Sequence, residues 1–520
     1  MKNMNNTVKY LILLAAAVVS AVACSEKKMD EINRDNGHTL DSNAKFILPD
    51  LELRLAQNVV GGDFNTYFEC YCEQETGSWN QLYNAERRSA EVTSSSTFNN
   101  SWETVYNGIL NAKTMIAKTG EGGTDVGDML AKGIGEIMLA YYAAVATDVW
   151  GDTPYSQAGD YENFKAPKAD KQEDIYKDIM AKLDDAINCL SDCTNTISSF
   201  DLIYGGKADK WIMFANALKA RYTLRLAGRA ADQTKALNDV LDYAACSFSS
   251  AADQAVITYD GNNQNPVFDL NWSIDAMSSS KSMYDKLMDR EDPRAERVYF
   301  DAGGWNHYYS EDVAEMLPEV GKPDQCQYVY PYDVFRFAEL APIHIFSYME
   351  LCFIEAEANA RLGFLKEAEE CLKEGIKEAF ANLEINVAGA MSAPSLLAYG
   401  GLEDISEEAL TEEDAAEYYE TSVAPLFAAD PIKEIMIQKY IAMWDANGGS
   451  LETYNDVRRI KYMDKGKDIY EFQHPQPDKF PLRAPYGNDD VVNNPNITPL
   501  YTDGGRYVFT EPVWWAGGTR

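Results

Sequence analysis

Three short stretches of this chain set aromatic rings among amide side chains. "GSWNQLYNAE" (77–86) carries Trp79 and Tyr83 with Asn80, Gln81 and Asn84; "DLNWSID" (269–275) carries Asn271 and Trp272; and "GGWNHYYSED" (303–312) carries Trp305, Asn306, His307, Tyr308 and Tyr309 behind a flexible Gly-Gly lead. A sugar ring has an apolar C–H face that can lie on an aromatic ring, and a rim of hydroxyls that needs amide or carboxylate partners. Tryptophan and tyrosine interleaved with asparagine and glutamine meet both needs. Trp79, Asn80, Tyr83, Trp272, Trp305, Tyr308 and Tyr309 are therefore the candidate ligand-binding residues, and the chemistry they offer is stacking and hydrogen bonding.

Catalytic patterns are missing from the sequence. It has no G-x-S-x-G elbow, no phosphate-cradling G-x-x-x-x-G-K-[ST], no H-E-x-x-H and no dinucleotide fingerprint. With 82 acidic residues, pairs of carboxylates suited to glycoside hydrolysis must arise by chance and carry no information. The four histidines, at 38, 307, 344 and 474, give no zinc-ligand spacing. "DGNNQNPVFD" (260–269) could supply oxygens to a structural calcium ion but lacks the EF-hand spacing. No other metal or cofactor is expected. Cys70 with Cys72 and Cys189 with Cys193 are poorly spaced for local disulfides, so the cysteines read mostly as buried thiols.

The elements that must carry these stretches are mainly helices. "SWETVYNGILNAKTMIAKT" (101–119) and "MLAKGIGEIMLAYYAAVATDVW" (129–150) have helical apolar spacing and read as a hairpin across "GEGGTD". "EDIYKDIMAKLDDAINCL" and "ADKWIMFANALKARYTLRLAGRA" form a second pair. A third, 348–380, has Ala356, Gly363, Ala368 and Gly375 where a tetratricopeptide repeat places small residues for close helix approach, although Glu355 and Asn359 occupy positions that usually hold large apolar side chains. Trp102, Trp150, Trp211 and Trp444 fall on helical patterns and are expected in the core. Residues 46–95, 250–341 and 463–520 are expected to be long loops and short strands, with the helical scaffold at about 95–250 and 342–462. The acidic stretch 401–420, with nine carboxylates and no basic residue, reads as a solvated helix or insertion.

Two further features bear on location. Lys2 and Lys9 lie in a polar start, and the apolar run from Tyr10 to Ala23, about 14 residues, is shorter than the roughly 20 that span a bilayer. It reads as a cleaved leader, 1–23. Ala21-Val22-Ala23-Cys24 resembles a bacterial lipoprotein box, which implies a lipid on the Cys24 thiol, a tether at 24–45 and a single domain at 46–520. Acyl chains of that kind anchor a protein at about 0.8 kcal/mol per buried methylene without a transmembrane helix, and no later stretch reads as long and apolar enough to be one. Ser25-Glu26 and Asp30-Glu31 place acids soon after the cysteine, as in surface-exported lipoproteins. The formal charge of −36 over 520 residues repels phosphate backbones and argues against a nucleic-acid partner.

"WGDTPYSQA", "KWIMFANALKARYTLRLA", "DREDPRAERVYF", "IEAEANARLG", "NDVRRIKY" and "PLRAPYGNDDVVNNPN", in this order behind Cys24, resemble the SusD/RagB family of nutrient-binding outer-membrane lipoproteins. The resemblance implies a mainly α protein on about four tetratricopeptide-like helix pairs, with loop-rich, short-strand excursions forming the ligand face. It also implies a non-catalytic protein on the outer face of the outer membrane, delivering oligosaccharide to a SusC-like TonB-dependent porin. The RagB branch implies peptide as the alternative cargo, and a surface glycoside hydrolase is a third reading. Gly487 and Asp490 replace the family's frequent Pro and Glu, and Tyr454 its Trp. Pro293 in "DPR" is expected to make a rigid corner from which Arg294 meets a carboxylate. Gly151 and Pro154 are expected to end the helix before them, and Arg458 and Arg459 to pair with acids.

Overall fold

A computed structural model describes residues 42–88, 98–194, 197–274, 276–300, 332–398, 400–402 and 408–520. The leader, Cys24 and the tether up to residue 41 lie outside the described residues, as do Trp305, Asn306, His307, Tyr308 and Tyr309. Ala44–Arg520 forms one compact unit.

The chain enters through α1 (Leu48–Arg54), α2 (Asp63–Tyr71), strand β1 (Glu75–Gly77) and α3 (Asn80–Glu86), so the segment expected to be loop-rich is largely helical. Then come α4 (Asn99–Thr119), α5 (Met129–Trp150), the small ribbon of β2 (Thr153–Pro154) and β3 (Ala169–Asp170), α6 (Gln172–Ser191), α7 (Ala208–Leu226) and α8 (Gln233–Ala244). Helix α5 starts where the Asp128 carboxylate accepts the Ala131 N–H at 3.1 Å, and stops at Gly151, whose φ of 78° a side chain would strain. It is apolar on every side because α4 and α6 pack on it from two directions. Gly108 of α4 makes the closest approach possible, since a Cβ there would meet the Tyr142 ring at 2.3 Å. Contrary to expectation, α5 is long and apolar enough to cross a membrane; its burial inside the protein identifies it as a core helix.

The middle of the chain holds β4 (Ala255–Ile257), α9 (Pro266–Ile274), β5 (Met277–Ser279), α10 (Lys281–Met288), α11 (Arg294–Val298), β6 (Tyr299–Phe300), β7 (Tyr332–Asp333) and β8 (Ile343–Phe346). Short helices thus occupy much of a region expected to be loops and strands. Next are α12 (Tyr348–Leu362), α13 (Leu365–Met391), α14 (Pro431–Ala442) and α15 (Ser450–Met463), and beyond residue 463 only short helical turns interrupt the loops. The sheets are two-stranded and antiparallel: β1 with β5, β2 with β3, β4 with β8, and β6 with β7.

Successive packing of α4, α5, α6, α7, α8, α12 and α13 makes a stacked helical array, the helix-pair scaffold the pattern predicts. In the α12–α13 pair, Ala356 and Ala368 are fully buried, and Gly375 sits 3.1 Å, measured from an ideal Cβ, from the Phe353 ring. Gly363 serves the backbone instead, closing α12 in the left-handed region at φ 85°. Glu355, pushed up to about 7 by burial, and Asn359 fit the pair as inward polar groups.

Buried ion pairs fasten the array. Arg221 holds Glu350, Arg225 bridges Asp148 and Glu452, and Arg459 bridges Glu357 and Asp456. Arg294 turns back on Asp292 of its own triplet and also reaches Gln438. Arg458 departs from expectation: it donates to the carbonyls of Asp148 and Leu482 and lies over the Tyr454 and Trp515 rings. Trp102, Trp150 and Trp211 are buried helical residues, while Trp444, equally buried, stands just past the end of α14. Of the seven described cysteines, Cys70, Cys72, Cys189 and Cys352 are buried and Cys246 is exposed.

Candidate ligand-binding face

Hydrogen bonding between β1 and β5 brings two of the aromatic stretches together. Glu75 pairs with Ser279, Thr76 with Ser278 and Gly77 with Met277, and the N–H groups of Ser78 and Trp79 both reach the carbonyl of Ala276. Trp79 therefore leaves β1 beside the segment that joins Trp272 to β5. It occupies the N-cap position of α3 in an extended conformation, and its side chain is 54% exposed. Tryptophan is costly to leave in water, so an isolated exposed ring beside an ordered ribbon stands out.

Tyr83 and Trp272 lie on helices, where loops were expected. Tyr83 is half-buried on α3, with the Arg87 guanidinium 5.3 Å from its ring centre. Trp272, also half-buried, stacks on Phe268 one turn earlier in α9 at 5.5 Å and 20°. Asn80 is the first residue of α3.

The third stretch lies between β6 and β7, whose register pairs Tyr299 with Asp333 and Phe300 with Tyr332. The Ser279 hydroxyl of β5 donates to the Asp333 carboxylate at 3.1 Å, so this stem is joined directly to the β1–β5 ribbon. Hydrogen bonds thus link the backbone before Trp79, the strand that follows Trp272 and the chain ends that bracket 301–331. Trp444 donates from its indole to Glu75 at 2.8 Å and packs on Tyr299 and Phe335 at 5.5 and 5.0 Å.

The floor contains acids that sequence reading missed. Burial raises Glu69 to about 8 and Asp445 to about 7, and it raises Glu75 and Asp333 as well, against the pull of the Arg336 guanidinium. Glu69 accepts from the Asn65 amide at 2.7 Å, and Asp445 from Asn382 at 3.1 Å and from the Asn447 N–H at 2.9 Å. A partial signal exists in "DFNTYFECY", where Asn65 and Glu69 sit four apart on a helix that is otherwise aromatic.

In the oxygen-rich stretch 260–269, the side-chain oxygens of Asp260 and Asn265 accept N–H groups of the stretch itself. Asp260 accepts the N–H groups of Asn262 and Asn263, while Asn265 caps α9 and donates to the carbonyls of Ala341 and Ala446. Among the described residues, no three His, Cys, Asp or Glu side chains are grouped to hold a metal ion.

Residues 43–484 match the family model described as SusD-like, starch-binding and associating with the outer membrane. The chain belongs to this SusD-like family. Its structure is similar to that of a SusD/RagB family protein from Bacteroides thetaiotaomicron, with 40% identity and a TM-score of 0.83 over 92% of this chain and 100% of that one. A chitin-binding protein has 21% identity and a TM-score of 0.66 over 91% of this chain and 100% of that one. A SusD homolog from Bacteroides fragilis has 20% identity and a TM-score of 0.66 over 92% and 100%. No curated protein matches the chain.

Proposed function

We propose that this protein is a non-catalytic lipoprotein, held on the outer face of the outer membrane through Cys24, that captures an oligosaccharide and passes it to a SusC-like TonB-dependent transporter. The observation that carries the reading is the exposed Trp79 ring, next to the β1–β5 ribbon that hydrogen bonds link to the segment after Trp272 and to the stem of the segment that holds Trp305, Tyr308 and Tyr309. Several rings on one face can stack on successive sugars, and Asn80 and Asn271 lie next to two of them in sequence.

The acids with raised pKa values, Glu69, Glu75, Asp333 and Asp445, are all at most 5% exposed, so they shape the face from below. That placement supports binding over hydrolysis, for which a general acid must reach the glycosidic oxygen. The family's outer-membrane association and the SusD/RagB relative support the transporter partnership.

Screening the purified chain against glycan and peptide panels, with product analysis of every hit, tests the proposal. Glycan binding without new products is expected. Peptide hits alone would transfer the face to the RagB-type alternative, and cleaved products would replace binding by hydrolysis. A large β-barrel should also co-purify from mild detergent, since such partners bury well over about 1,000 Å².

A further inference from the structure

Helix α3 ends in a different kind of site. Arg88 follows it at φ +48°, in the left-handed region that favours glycine, with its N–H bonded to the Ala85 carbonyl. Only 3% of the side chain is exposed. Its guanidinium donates to the carbonyls of Tyr71 at 2.7 Å and Gln476 at 3.5 Å, while its Nε–H has no acceptor. Among the described residues no carboxylate pairs with it. Arg221, Arg225, Arg294 and Arg459 are matched to acids, whereas Arg88, like the buried Arg458 and Arg483, meets only carbonyl and amide oxygens and, unlike those two, keeps an unused Nε–H. Burying a cation without a counter-charge is costly, and so is holding a side chain at positive φ.

The same guanidinium lines a cavity of about 240 Å³. Apolar and aromatic residues form its walls: Ile460, Tyr470, Phe472 and Phe480. The three rings are nearly parallel, Tyr470 to Phe472 at 13° and Phe472 to Phe480 at 10°, and the Arg88 guanidinium carbon stands 5.5 Å from the centre of Phe480. Lys461, also lining the cavity, is exposed and has no acid partner among the described residues. Lys467 is paired with Asp430, and Asp468 accepts the N–H of Glu471. The free positive charges are thus Arg88 inside and Lys461 near the opening.

We propose that this cavity binds a small organic anion, a flat apolar ring bearing one carboxylate, with the ring among Tyr470, Phe472 and Phe480 and the carboxylate on Arg88. A carboxylate would accept the unused Nε–H and neutralise the buried guanidinium, in the side-on geometry that guanidinium groups favour. The site is separate from the exposed face at Trp79, and it does not depend on what that face binds.

The test is calorimetric titration of the full chain, purified in detergent, with benzoate and with benzamide, which keeps the ring and removes the charge. Benzoate should bind at millimolar concentration or below, and benzamide at least about tenfold more weakly. Arg88→Met should lower benzoate affinity about 10- to 100-fold. Lys461→Glu, at an exposed position, should lower it about threefold and leave benzamide unchanged. Equal binding of the two probes, no benzoate binding, or benzoate binding unchanged in a folded Arg88→Met protein would overturn the proposal. Should Arg88→Met fail to fold, Lys461→Glu decides: unaltered benzoate affinity in that variant is a refutation.

Discussion

Arg221 on α7 and Glu350 on α12, 129 positions apart, form a buried two-point ion pair, with Nε to Oε1 at 2.9 Å and Nη2 to Oε2 at 2.5 Å. It fastens two helix pairs that the sequence separates by the whole middle of the chain. Glu350→Ala would leave the guanidinium only the more distant Glu452 carboxylate, at 3.8 Å, which Arg225 already shares, and should cost about 3 kcal/mol. Replacing both partners, Arg221→Met with Glu350→Leu, should recover a large part of that loss. Denaturant unfolding of both variants measures the difference, and a double variant as unstable as the single one would show that the pair itself is needed.

The scaffold is legible in the sequence where periodicity is long. Helices α4, α5, α6, α7, α12 and α13 each run four turns or more, enough for an apolar stripe to emerge. Helices α3 and α9, at seven and nine residues, are too short for that, which is why Tyr83 and Trp272 read as loop residues in the sequence. For α9 a usable signal existed: Asn265 followed by Pro266 is an N-cap before a helix-opening proline. The departures at Gly487 and Asp490 have a tertiary cause. Trp102 lies against Gly487, where a Cβ would meet its ring at 2.5 Å, and donates to Asp490 at 3.0 Å. Tyr454 likewise stacks on Phe68 at 4.0 Å and donates to the Pro481 carbonyl. Arg88 leaves no trace in the sequence because its meaning lies in the absence of an acid, which only packing reveals.

Stability should depend on pH in a way set by the buried acids. Glu69 and Asp445 are raised to about 8 and about 7, so their contribution is complete below their unfolded values and is lost as pH rises from there through 7 and 8. Glu357 is lowered to about 2 by burial opposed by the stronger pull of Arg459 and Arg361, so its contribution is present above its unfolded value and is lost as pH falls toward 2. The melting temperature should therefore peak at about pH 5 and decline toward about pH 8. Glu69→Gln should flatten the alkaline decline and leave the value at about pH 5 little changed. An equally steep decline in that variant would remove Glu69 from the explanation.

The anchor can be tested without reference to the ligand. If the Cys24 thiol carries the lipid, Cys24→Ala should give a folded protein that leaves the membrane fraction, because no acyl chain remains to hold it. Protease shaving of intact cells should remove the wild-type protein if it faces outward. Equal membrane recovery of variant and wild type would exclude the lipid anchor.

Trp79 and Trp211 should respond oppositely to truncation. Trp211 is fully buried, meets Tyr204 edge-on at 5.3 Å and donates to Asp201 at 2.7 Å. Trp211→Ala should cost about 3–5 kcal/mol of stability through the cavity it leaves and the hydrogen bond to Asp201 it removes. Trp79 is 54% exposed at the start of a short helix, so Trp79→Ala should hardly move the melting temperature. If its ring carries one sugar, the same change should remove about 1–2 kcal/mol of binding, a five- to thirtyfold loss of affinity. Trp272→Ala should fall between the two, because its ring is half-buried and also packs on Phe268. Measuring melting temperature and glycan affinity together for all three separates packing from recognition. Full affinity in both Trp79→Ala and Trp272→Ala would move the recognition surface away from the β1–β5 ribbon, toward Trp305, Tyr308 and Tyr309.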